Sequence, residues 1–528
     1  MARQCNTLCQ AFSEFGDCRG KIAESDLQKL SIALTTMVQV ITLSISEGKL
    51  KVDYAKLDRA FNPECVVVVG DSMSMNLEWL RGQSNFTGKL YSVHVSPETI
   101  EHIEALGVKN YTSLLDVPEP VDLAIVAVSR SAALTILEDC IRKEVAAAHF
   151  FTAGFAETDT EEGRRLERLL TERAEEANFH LIGPNCMGIF NPKVGVKQSD
   201  EQYSGVSGPV GIISQSGTYA IRFGLEAHLQ GVDINKSVSF GNGIVLDSTD
   251  YLEYFGRDPE IGVIGMYLEG VKDGRQFFKV LREVSAKKPV VIWKGGRTVE
   301  GERAIASHTG ALAVSQAIWD AAVRQCGAIK AAGMEELIDT LKALLYLPPV
   351  RGDRVGVAGG SGGHSVSTAD VFAEAGLRVP LLTQESYDEL ATFFNVVGGS
   401  YRNPVDTAGP VRRDLKRIVE ILALDDNIDN LALIVSTKPG WHFAPEQLQG
   451  TIDLVNDIKK RALKPVMAIV FFSTPDAERE ARGVMLKLQE IGIPAFPTIE
   501  RGASALKNAL DYYRIKRADV GASPMDSH

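Results

Sequence analysis

Short apolar runs rich in valine and isoleucine alternate with helical patterns along most of this 528-residue chain, and this alternation constrains the fold most. The runs are 66–69, 90–95, 123–128, 147–151, 210–213, 263–267, 290–293, 355–358, 431–435 and 466–471. Continuous apolar runs of this length are typical of strands buried on both faces, and the helical segments between them supply the crossovers that parallel strands need. The pattern therefore predicts an α/β protein with parallel sheets.

Chain length and loop-rich stretches predict several domains. At about 150 residues per domain, a chain of 528 residues allows three or four. A polar, glycine-containing stretch over 191–208 and a Leu-Pro-Pro stretch at 347–349 mark boundaries. The predicted division is a helical N-terminal extension (1–59), three α/β units (60–200, 206–346 and 351–515) and a tail (516–528).

The extension carries one amphipathic helical pattern. Apolar residues between Leu30 and Ile45 fall on one helical face, and Ser25 with Gln28 forms a plausible capping box. The same window is too short and too polar to cross a bilayer. We predict that this helix packs on its own core, with an oligomer contact as the alternative.

Charge and cysteine content exclude several classes of protein. Acidic residues number 68 against 56 basic ones, giving a net charge of −12, the wrong sign for a protein that wraps duplex nucleic acid. The seven cysteines are odd in number and form no C-x-x-C pair, so neither a disulfide framework nor a metal cage is indicated. The N-terminus has no secretory signal pattern, so we expect a cytoplasmic protein without a membrane segment.

The first α/β unit begins like a dinucleotide-binding domain but lacks the full motif. Its first strand runs into Gly70-Asp71-Ser72, yet the later glycines of G-x-G-x-x-G are missing. The second strand also ends without an acidic partner for a ribose. NAD is therefore disfavoured, although a nucleotide-shaped ligand can still lie at the carboxyl edge of such a sheet.

Two loops that follow strands have residue types suited to binding phosphate. One passes through Ser216, Gly217 and Thr218, and the other is a glycine-rich stretch that reaches His364. Exposed N–H groups at a helix start favour an oxyanion, and hydroxyl groups add donors. Ordinary helix capping and turn geometry explain the same residues equally well.

His308 and Glu269 are candidates for chemistry on phosphorus. His308 has small neighbours and is predicted to lie in a loop before a helix over 312–326, where an imidazole nitrogen could attack phosphorus. Glu269 follows an apolar strand, and a carboxylate there could orient an imidazole. A capping or surface histidine and an exposed glutamate are the alternatives that the residues alone leave open.

Taken together, six motifs resemble a known enzyme family. They are Gly154-Phe-Ala-Glu157, Gly183-Pro-Asn-Cys-Met-Gly188, Ser214-Gln-Ser-Gly-Thr218, Tyr267-Leu-Glu-Gly270, Ser307-His-Thr-Gly-Ala-Leu312 and Asn403-Pro-Val-Asp406. Over roughly 60–515 this order is similar to that of the acyl-CoA synthetases that form a nucleoside diphosphate, α-subunit type. The resemblance implies a Rossmann-like CoA-binding domain followed by two flavodoxin-like ligase domains.

The resemblance also implies roles for individual residues. His308 would carry a phosphoryl group between an acyl phosphate and a nucleotide, and Glu269 would orient it. The phosphate would be held at the starts of two opposing helices by Ser216, Gly217, Thr218, Gly362, Gly363 and His364. The turn beside the active histidine would contain Asn185 and Cys186, and we interpret Cys186 as a small buried residue. The CoA site would be lined by Gly70, Ser72, Val128, Ser129 and Gly154.

The chain departs from the family pattern in three places. It contains no recognisable ATP-grasp domain and no Walker motif, so the resemblance places ATP or GTP, with Mg²⁺, on a separate ATP-grasp β-type subunit of an oligomer. Gly70-Asp71-Ser72 stands where Gly-Ala-Ser is usual, and the strand end Ala127-Val128-Ser129-Arg130 stands where the family usually shows Val-Pro.

The predicted activity is ligation of a small carboxylic acid to CoA. The alternatives are a non-catalytic CoA-binding sensor or scaffold with the same fold and, last, a nicotinamide dehydrogenase.

Overall fold

The computed structural model describes residues 51–309, 316–360, 362–394, 400–407, 414–436, 445–461, 464–472 and 474–521. The amphipathic helix predicted within the extension 1–59 lies outside these residues. Within them the apolar runs all form strands, and the strands assemble into three sheets.

The first sheet is a Rossmann fold. Its strands are β1 (Cys65–Val69), β2 (Lys89–Val93), β3 (Lys109–Tyr111), β4 (Leu123–Val126), β5 (Ala147–Phe150) and β6 (Leu181–Ile182). Its helices are α1 (Tyr54–Phe61), α2 (Glu78–Gly82), α3 (Pro97–Ala105), α4 (Ala133–Arg142) and α5 (Glu161–Glu176). The strand order is β3-β2-β1-β4-β5-β6, and all the strands are parallel. The chain adds strands on one side of β1 and then, from β4 on, on the other side, and this switch point opens a ligand crevice at the carboxyl edge of the sheet. Strand β1 lies at the centre with every residue buried, as its valine run predicts.

The second sheet has the flavodoxin order with one added strand. Its strands are β7 (Gly188–Phe190), β8 (Val210–Ser214), β9 (Ile234–Ser239), β10 (Val263–Leu268), β11 (Val290–Lys294) and β12 (Ile329–Ala331). Its helices are α6 (Gly217–Leu229), α7 (Ser248–Arg257), α8 (Gly274–Ser285), α9 (Val299–Thr309), α10 (Gln316–Gln325) and α11 (Met334–Tyr346). The order is β12-β11-β10-β8-β9-β7, and β7 is antiparallel to β9. Strand β7 comes from the segment 60–200 that the sequence assigned to the first unit, so the two units share a sheet edge.

The third sheet is also parallel. It contains β13 (Val355–Ala358), β14 (Asn430–Ser436), β15 (Val466–Phe471) and β16 (Ala495–Phe496), in that order. The described helices around it are α12 (Gly362–Glu374), α13 (Gln384–Ala391), α14 (Leu415–Leu424), α15 (Pro445–Arg461), α16 (Pro475–Glu490) and α17 (Ile499–Gly521). Isolated bridges from Arg378 and Val405 extend the sheet beyond β13. Helix α17 runs to Gly521, so the predicted tail from 516 began too early.

Helices α11 and α17 join the second and third units through one hydrophobic core. Leu337 and Leu341 of α11 and Leu506 and Leu510 of α17 are at most 1% exposed and belong to the same buried cluster. Burying aliphatic side chains of this size stabilises a protein by roughly 1.5–3 kcal/mol each. The two units are therefore held together as a single packed body.

Two buried histidines make the stability of the first unit depend on pH. His149, in β5, packs against Trp79, and burial lowers its pKa to about 3. The Nε2 atom of His180 accepts a hydrogen bond from the Asp53 N–H at 3.0 Å, and burial lowers the pKa of His180 to about 4. Both rings are therefore neutral in the folded chain under conditions in which an unfolded histidine, with a pKa of about 6.5, begins to bind a proton.

We expect the free energy of unfolding to decrease as the pH falls from about 6.5 towards 4, because the unfolded chain then binds more protons than the folded one. The slope approaches about 1.4 kcal/mol per pH unit for each histidine. Urea unfolding at several pH values measures it. His149→Asn should remove about half of this slope, whereas His102→Asn, at an exposed position on α3, should leave it unchanged. An unchanged slope in His149→Asn would contradict the assignment.

Candidate functional site

Glu269 lies at the carboxyl end of β10, where side chains from three strands converge. Glu269 is 8% exposed, and its Oε1 atom accepts a hydrogen bond from the Tyr267 hydroxyl at 3.3 Å. The Gln215 side chain, which follows β8, accepts hydrogen bonds from the backbone N–H groups of Glu269 (2.8 Å) and Gly270 (3.2 Å). The carboxylate is thus held at the sheet edge by its neighbours and is not an ordinary exposed glutamate.

Lys294 ends the adjacent strand β11 and is buried beside Glu269. It is 4% exposed, and its Nζ atom donates hydrogen bonds to the backbone carbonyls of Glu269 (2.6 Å) and Gly295 (2.7 Å). Burial lowers the pKa of Lys294, while Glu269 and Glu302 oppose that shift. Neither this lysine nor Gln215 is among the site residues predicted from the sequence.

Ser216 is the N-cap of helix α6, which begins at the carboxyl edge of the second sheet, the edge at which Glu269 lies. Its hydroxyl accepts a hydrogen bond from the Tyr219 N–H at 3.4 Å, and its own N–H donates to the Ser214 hydroxyl. Gly217 is half-buried and Thr218 is exposed. A Cβ atom on Gly217 would lie 2.6 Å from Met187, so the turn 183–188 packs directly against this helix start. A helix N-terminus has N–H groups that can bind an anion, and phosphate binding by this one stays a prediction.

His308 lies in a different element from the one that the sequence predicted. The small residues around it indicated a loop, but the backbone over Val299–Thr309 is helical and contains His308. Of the helix predicted over 312–326, the described part is α10 (Gln316–Gln325). The physical reason is local: the Thr298 hydroxyl caps the Gly301 N–H, and Glu300 and Glu302 favour a helix start. The position of the His308 side chain lies outside the described residues.

The turn 183–188 connects the first and second units. Asn185 adopts a left-handed conformation (φ 56°), and its N–H donates to the Thr152 carbonyl at 3.0 Å. Cys186 is 3% exposed, and burial raises the pKa of its thiol to about 12, so it is not poised as a nucleophile. A Cβ atom on Gly241 would lie 2.2 Å from the Asn185 carbonyl oxygen, which brings the loop after β9 against this turn.

Asn242 in that loop bridges two carboxylates of the first unit. Its Nδ2 atom donates to Glu157 at 2.7 Å and to Glu167 at 2.8 Å. Glu157 also accepts hydrogen bonds from the N–H groups of Gly154 and Phe155. Burial alone would raise the pKa of Glu157, but these hydrogen bonds hold it below its usual range. Helix α9 lies beside the short turn Ala156–Thr158, so this network adjoins the segment that carries His308.

The residues predicted to line the CoA site follow the strands at the crevice of the first sheet. Gly70 has φ +80°, and a Cβ atom there would lie 2.4 Å from the Val128 side chain. Gly154 has φ +106°, and its carbonyl accepts a hydrogen bond from Arg130 at 2.9 Å. Ser129 is exposed beside Arg130. An added Cβ at Gly70 or Gly154 would collide with the side chain of Val128 or Arg130, so the loop ends at this edge are closely packed, and we call this group of loop ends the cradle.

The aspartate that departs from the family pattern turns away from this crevice. Asp71 is 2% exposed, and its carboxylate accepts hydrogen bonds from the N–H groups of Ser72 (2.8 Å) and Leu80 (2.9 Å). Burial raises its pKa, with these N–H groups opposing the shift. The substitution therefore organises the loop, and Ser72 remains half-buried with its hydroxyl 2.7 Å from Ser74.

The second predicted phosphate loop follows β13 in the third unit. Helix α12 begins at Gly362, directly after the strand and a Gly-Gly turn, as the sequence indicated. Gly363 and His364 are exposed, and the His364 ring packs 5.5 Å from that of Phe471. That this helix start faces the start of α6 stays a prediction.

Within the described ranges, no cluster of three or more His, Cys, Asp or Glu residues could hold a metal ion. None of the helices in the same ranges is both long and apolar enough to cross a membrane.

Comparisons with known proteins match this architecture. Residues 75–192 match a CoA binding domain family, and residues 207–344 match the succinyl-CoA ligase like flavodoxin domain. These two matches define a class of proteins that joins a CoA-binding domain to a ligase-type flavodoxin domain.

Individual relatives narrow the class. The acetate–CoA ligase [ADP-forming] II subunit alpha of Pyrococcus furiosus is 34% identical over 85% of this chain and 96% of the relative. The acetate–CoA ligase [ADP-forming] I of Archaeoglobus fulgidus is 35% identical over 73% of this chain and 56% of that longer relative. The chain belongs to the family of ADP-forming acetate–CoA ligases, α-subunit type.

A solved structure agrees with this assignment. The dinucleotide forming acetyl-coenzyme A synthetase 1 of Ca. Korarchaeum cryptofilum, in complex with phosphate and ADP, superposes with a TM-score of 0.77 at 30% identity. The match covers 89% of this chain and 99% of that chain. The predicted fold class is confirmed for the described residues.

Proposed function

We propose that this chain is the α-type component of an acyl-CoA synthetase that forms a nucleoside diphosphate. It would interconvert a small carboxylic acid, CoA and a nucleoside triphosphate with acyl-CoA, the diphosphate and phosphate. The observation that carries the proposal is the buried Glu269 carboxylate at the capped start of α6, in a chain whose relatives are acetate–CoA ligases.

His308 would carry the phosphoryl group between the nucleotide and the acid. In the direction of synthesis, an imidazole nitrogen attacks the γ-phosphorus and releases the diphosphate. A carboxylate oxygen of the acid then attacks the same phosphorus, which forms an acyl phosphate and frees the imidazole. The CoA thiol then attacks the acyl carbon; the C–S bond forms as the C–O bond to phosphate breaks, and the thiol proton ends on the departing phosphate.

The protein contributes mainly positioning and charge stabilisation to these steps. Glu269 would accept a hydrogen bond from the imidazole and set its orientation. Ser216, Gly217 and Thr218 would present the α6 start to the phosphoryl oxygens, and Gly362, Gly363 and His364 would do so from α12. His308 lies ten residues after Thr298, which caps the start of α9, so that helix start is not the source of the oxyanion donors proposed here.

CoA would bind along the cradle of Gly70, Ser72, Val128, Ser129 and Gly154. The nucleotide and Mg²⁺ would be bound by an ATP-grasp β-type subunit, giving an oligomer. A relative that is itself an α subunit supports a partner chain. The Glu157–Asn242 network would then couple the CoA loop to the second unit, since Glu157 binds the Gly154 N–H.

The test is phosphoryl transfer to the full chain from ³²P-labelled acetyl phosphate. We expect a label that is lost in acid, retained in base and mapped to His308, together with CoA binding by calorimetry. Absence of label, with a competent nucleotide-binding partner also giving no acyl-CoA, would overturn the proposal. CoA binding without any label would favour the non-catalytic sensor.

Gly70→Ala is expected to weaken CoA binding by about tenfold or more, equivalent to about 1.4 kcal/mol. The new Cβ would displace Val128, and φ +80° adds strain of about 1–2 kcal/mol for any residue with a side chain. Calorimetry with CoA measures the effect. Gly107→Ala is the control because it has φ +77° but open space around its Cβ, so it shares the strain alone. Equal CoA affinity in both variants would contradict the proposal that CoA binds along the cradle.

A further inference from the structure

Negative charge accumulates at the proposed phosphoryl-transfer site. The Glu269 carboxylate is buried there, and a phosphoryl group adds a charge of roughly −1.5 to −2 near neutral pH. Helix N-termini offset part of this charge, since each carries only about half an elementary charge. A buried positive side chain next to the carboxylate would supply the remainder.

Lys294 is that side chain. Strand β11 pairs with β10 so that Lys294 lies opposite Leu268, one residue before Glu269. Its Nζ atom contacts the backbone carbonyl of Glu269 at 2.6 Å and that of Gly295 at 2.7 Å. An ammonium group has three N–H donors. Two are used by these carbonyls, and no described residue accepts the third.

The surroundings of Lys294 explain why its charge matters. Its ammonium lies 5.8 Å from the centre of the Trp319 ring, in a position screened from water. The charged groups that face it are Glu269 at the end of β10 and Glu302 on α9, the helix that also carries His308. Coulomb interactions are stronger in such a setting than at the surface.

We infer that Lys294 is a positioning residue for phosphoryl transfer, which fixes the strand end that carries Glu269 and balances the charge of the arriving phosphoryl group. This inference rests on the proposed function. It assigns to the chain a buried cation that the motif set does not include.

The experiment compares Lys294→Met with the wild-type full chain, using ³²P-labelled acetyl phosphate as the phosphoryl donor. We expect Lys294→Met to slow labelling of His308 by about 10- to 100-fold, the effect of losing a hydrogen bond to a charged group. Lys294→Arg should restore part of the rate, because it retains the charge.

Lys288 provides a matched control at the other end of the same strand. It is half-buried, and its Nζ atom also donates to two backbone carbonyls, those of Phe255 and Asp258. Burial lowers the pKa of Lys288 as well. Lys288→Met should therefore share any structural cost, as measured by urea unfolding, but label at the wild-type rate.

The pH profile gives a readout that a structural role alone would not move. The pKa of Lys294 is below the usual lysine value, so the side chain loses its charge at a lower pH than an ordinary lysine. The labelling rate of the wild type should therefore decrease at alkaline pH, and the labelling rate of Lys294→Met should not show this decrease. Equal labelling rates in Lys294→Met and wild type, or equal slowing in Lys288→Met, would overturn the inference. If the wild type itself takes no label, the proposed function fails instead.

Discussion

His308→Asn is expected to abolish phosphoryl incorporation and to lower acyl-CoA synthesis with a nucleotide-binding partner by about 10⁴-fold or more. The asparagine amide has similar size and polarity but is not a nucleophile towards phosphorus. Glu269 is expected not to take its place, because its backbone N–H and carbonyl are fixed by Gln215 and Lys294 and its carboxylate by Tyr267. Labelling and coupled turnover measure the two effects.

A second histidine variant controls for general damage. His102 is exposed on α3 of the first unit, so His102→Asn should label and turn over like the wild type. If both full-length variants bind CoA with the affinity of the wild type, the fold is retained. A His308→Asn variant that still forms acyl-CoA at a rate comparable to wild type would refute the relay through this residue.

The sequence predicted the sheets well where strands are apolar and poorly where they are polar. Strand β9 (Ile234–Ser239) is buried throughout although Asn235, Lys236 and two serines make up most of it. Burial is tolerated because the Lys236 ammonium pairs with Asp258 at 2.7 Å and with Asn235 at 2.9 Å. Periodicity cannot predict such a strand, since its partners lie elsewhere along the chain.

The placement of β7 was missed for a different reason. Gly188–Phe190 is only three residues long and follows a turn that belongs to the first unit. Its strand character comes from pairing with β9, and a Cβ atom on Gly188 would collide with His149 at 2.1 Å. Gly188 thus leaves room for a buried histidine of the first unit at the point where the chain enters the second sheet.

The site was predictable as far as strand ends and motifs reach. Glu269 follows an apolar run, so the carboxyl edge of a sheet could be inferred for it directly. Gln215 and Lys294 could not be inferred, because their contacts depend on β8, β10 and β11 being neighbours. The signal that was available for Lys294 is its position at the end of an apolar run, where a buried charge requires an explanation.

The segment around His308 shows how composition can mislead. Alanine, serine and glycine beside the histidine suggested a loop, but alanine is also the strongest helix former. The two glutamates and the Thr298 cap at the other end of the segment were the better signal. The role proposed for His308 therefore depends on helix starts supplied by α6 and α12, not on its own helix.

Asp339→Ala is expected to destabilise the chain by about 3–5 kcal/mol, the cost of breaking a buried ion pair. Asp339, on α11, is 1% exposed and accepts hydrogen bonds from Arg501 of α17 at 2.5 and 3.0 Å. Its Oδ1 atom also lies 3.6 Å from the Nζ atom of Lys342. Without the carboxylate, two cations would remain in the interface between the second and third units.

Lys342 makes this loss severe. It is 1% exposed, and burial lowers its pKa to about 8 against the opposing effect of Asp339. Its other hydrogen-bond partners are neutral: the Gln230 side chain at 3.3 Å and the Ala495 carbonyl at 3.2 Å. Those groups stabilise an ammonium but do not neutralise it, so removing Asp339 penalises the folded state.

Urea unfolding measures the loss, and an exposed pair gives its control. Glu478 and Arg482 on α16 form an i,i+4 pair at 2.8 Å at the surface, so Glu478→Ala should change the stability by no more than about 0.5 kcal/mol. A triple variant with methionine at 339, 342 and 501 should recover most of the stability, because it leaves no buried charge unpaired; Glu335, the other ion-pair partner of Arg501, is exposed. The assignment would be contradicted if Asp339→Ala unfolded at the same urea concentration as the wild type. It would also be contradicted if the triple variant were no more stable than Asp339→Ala.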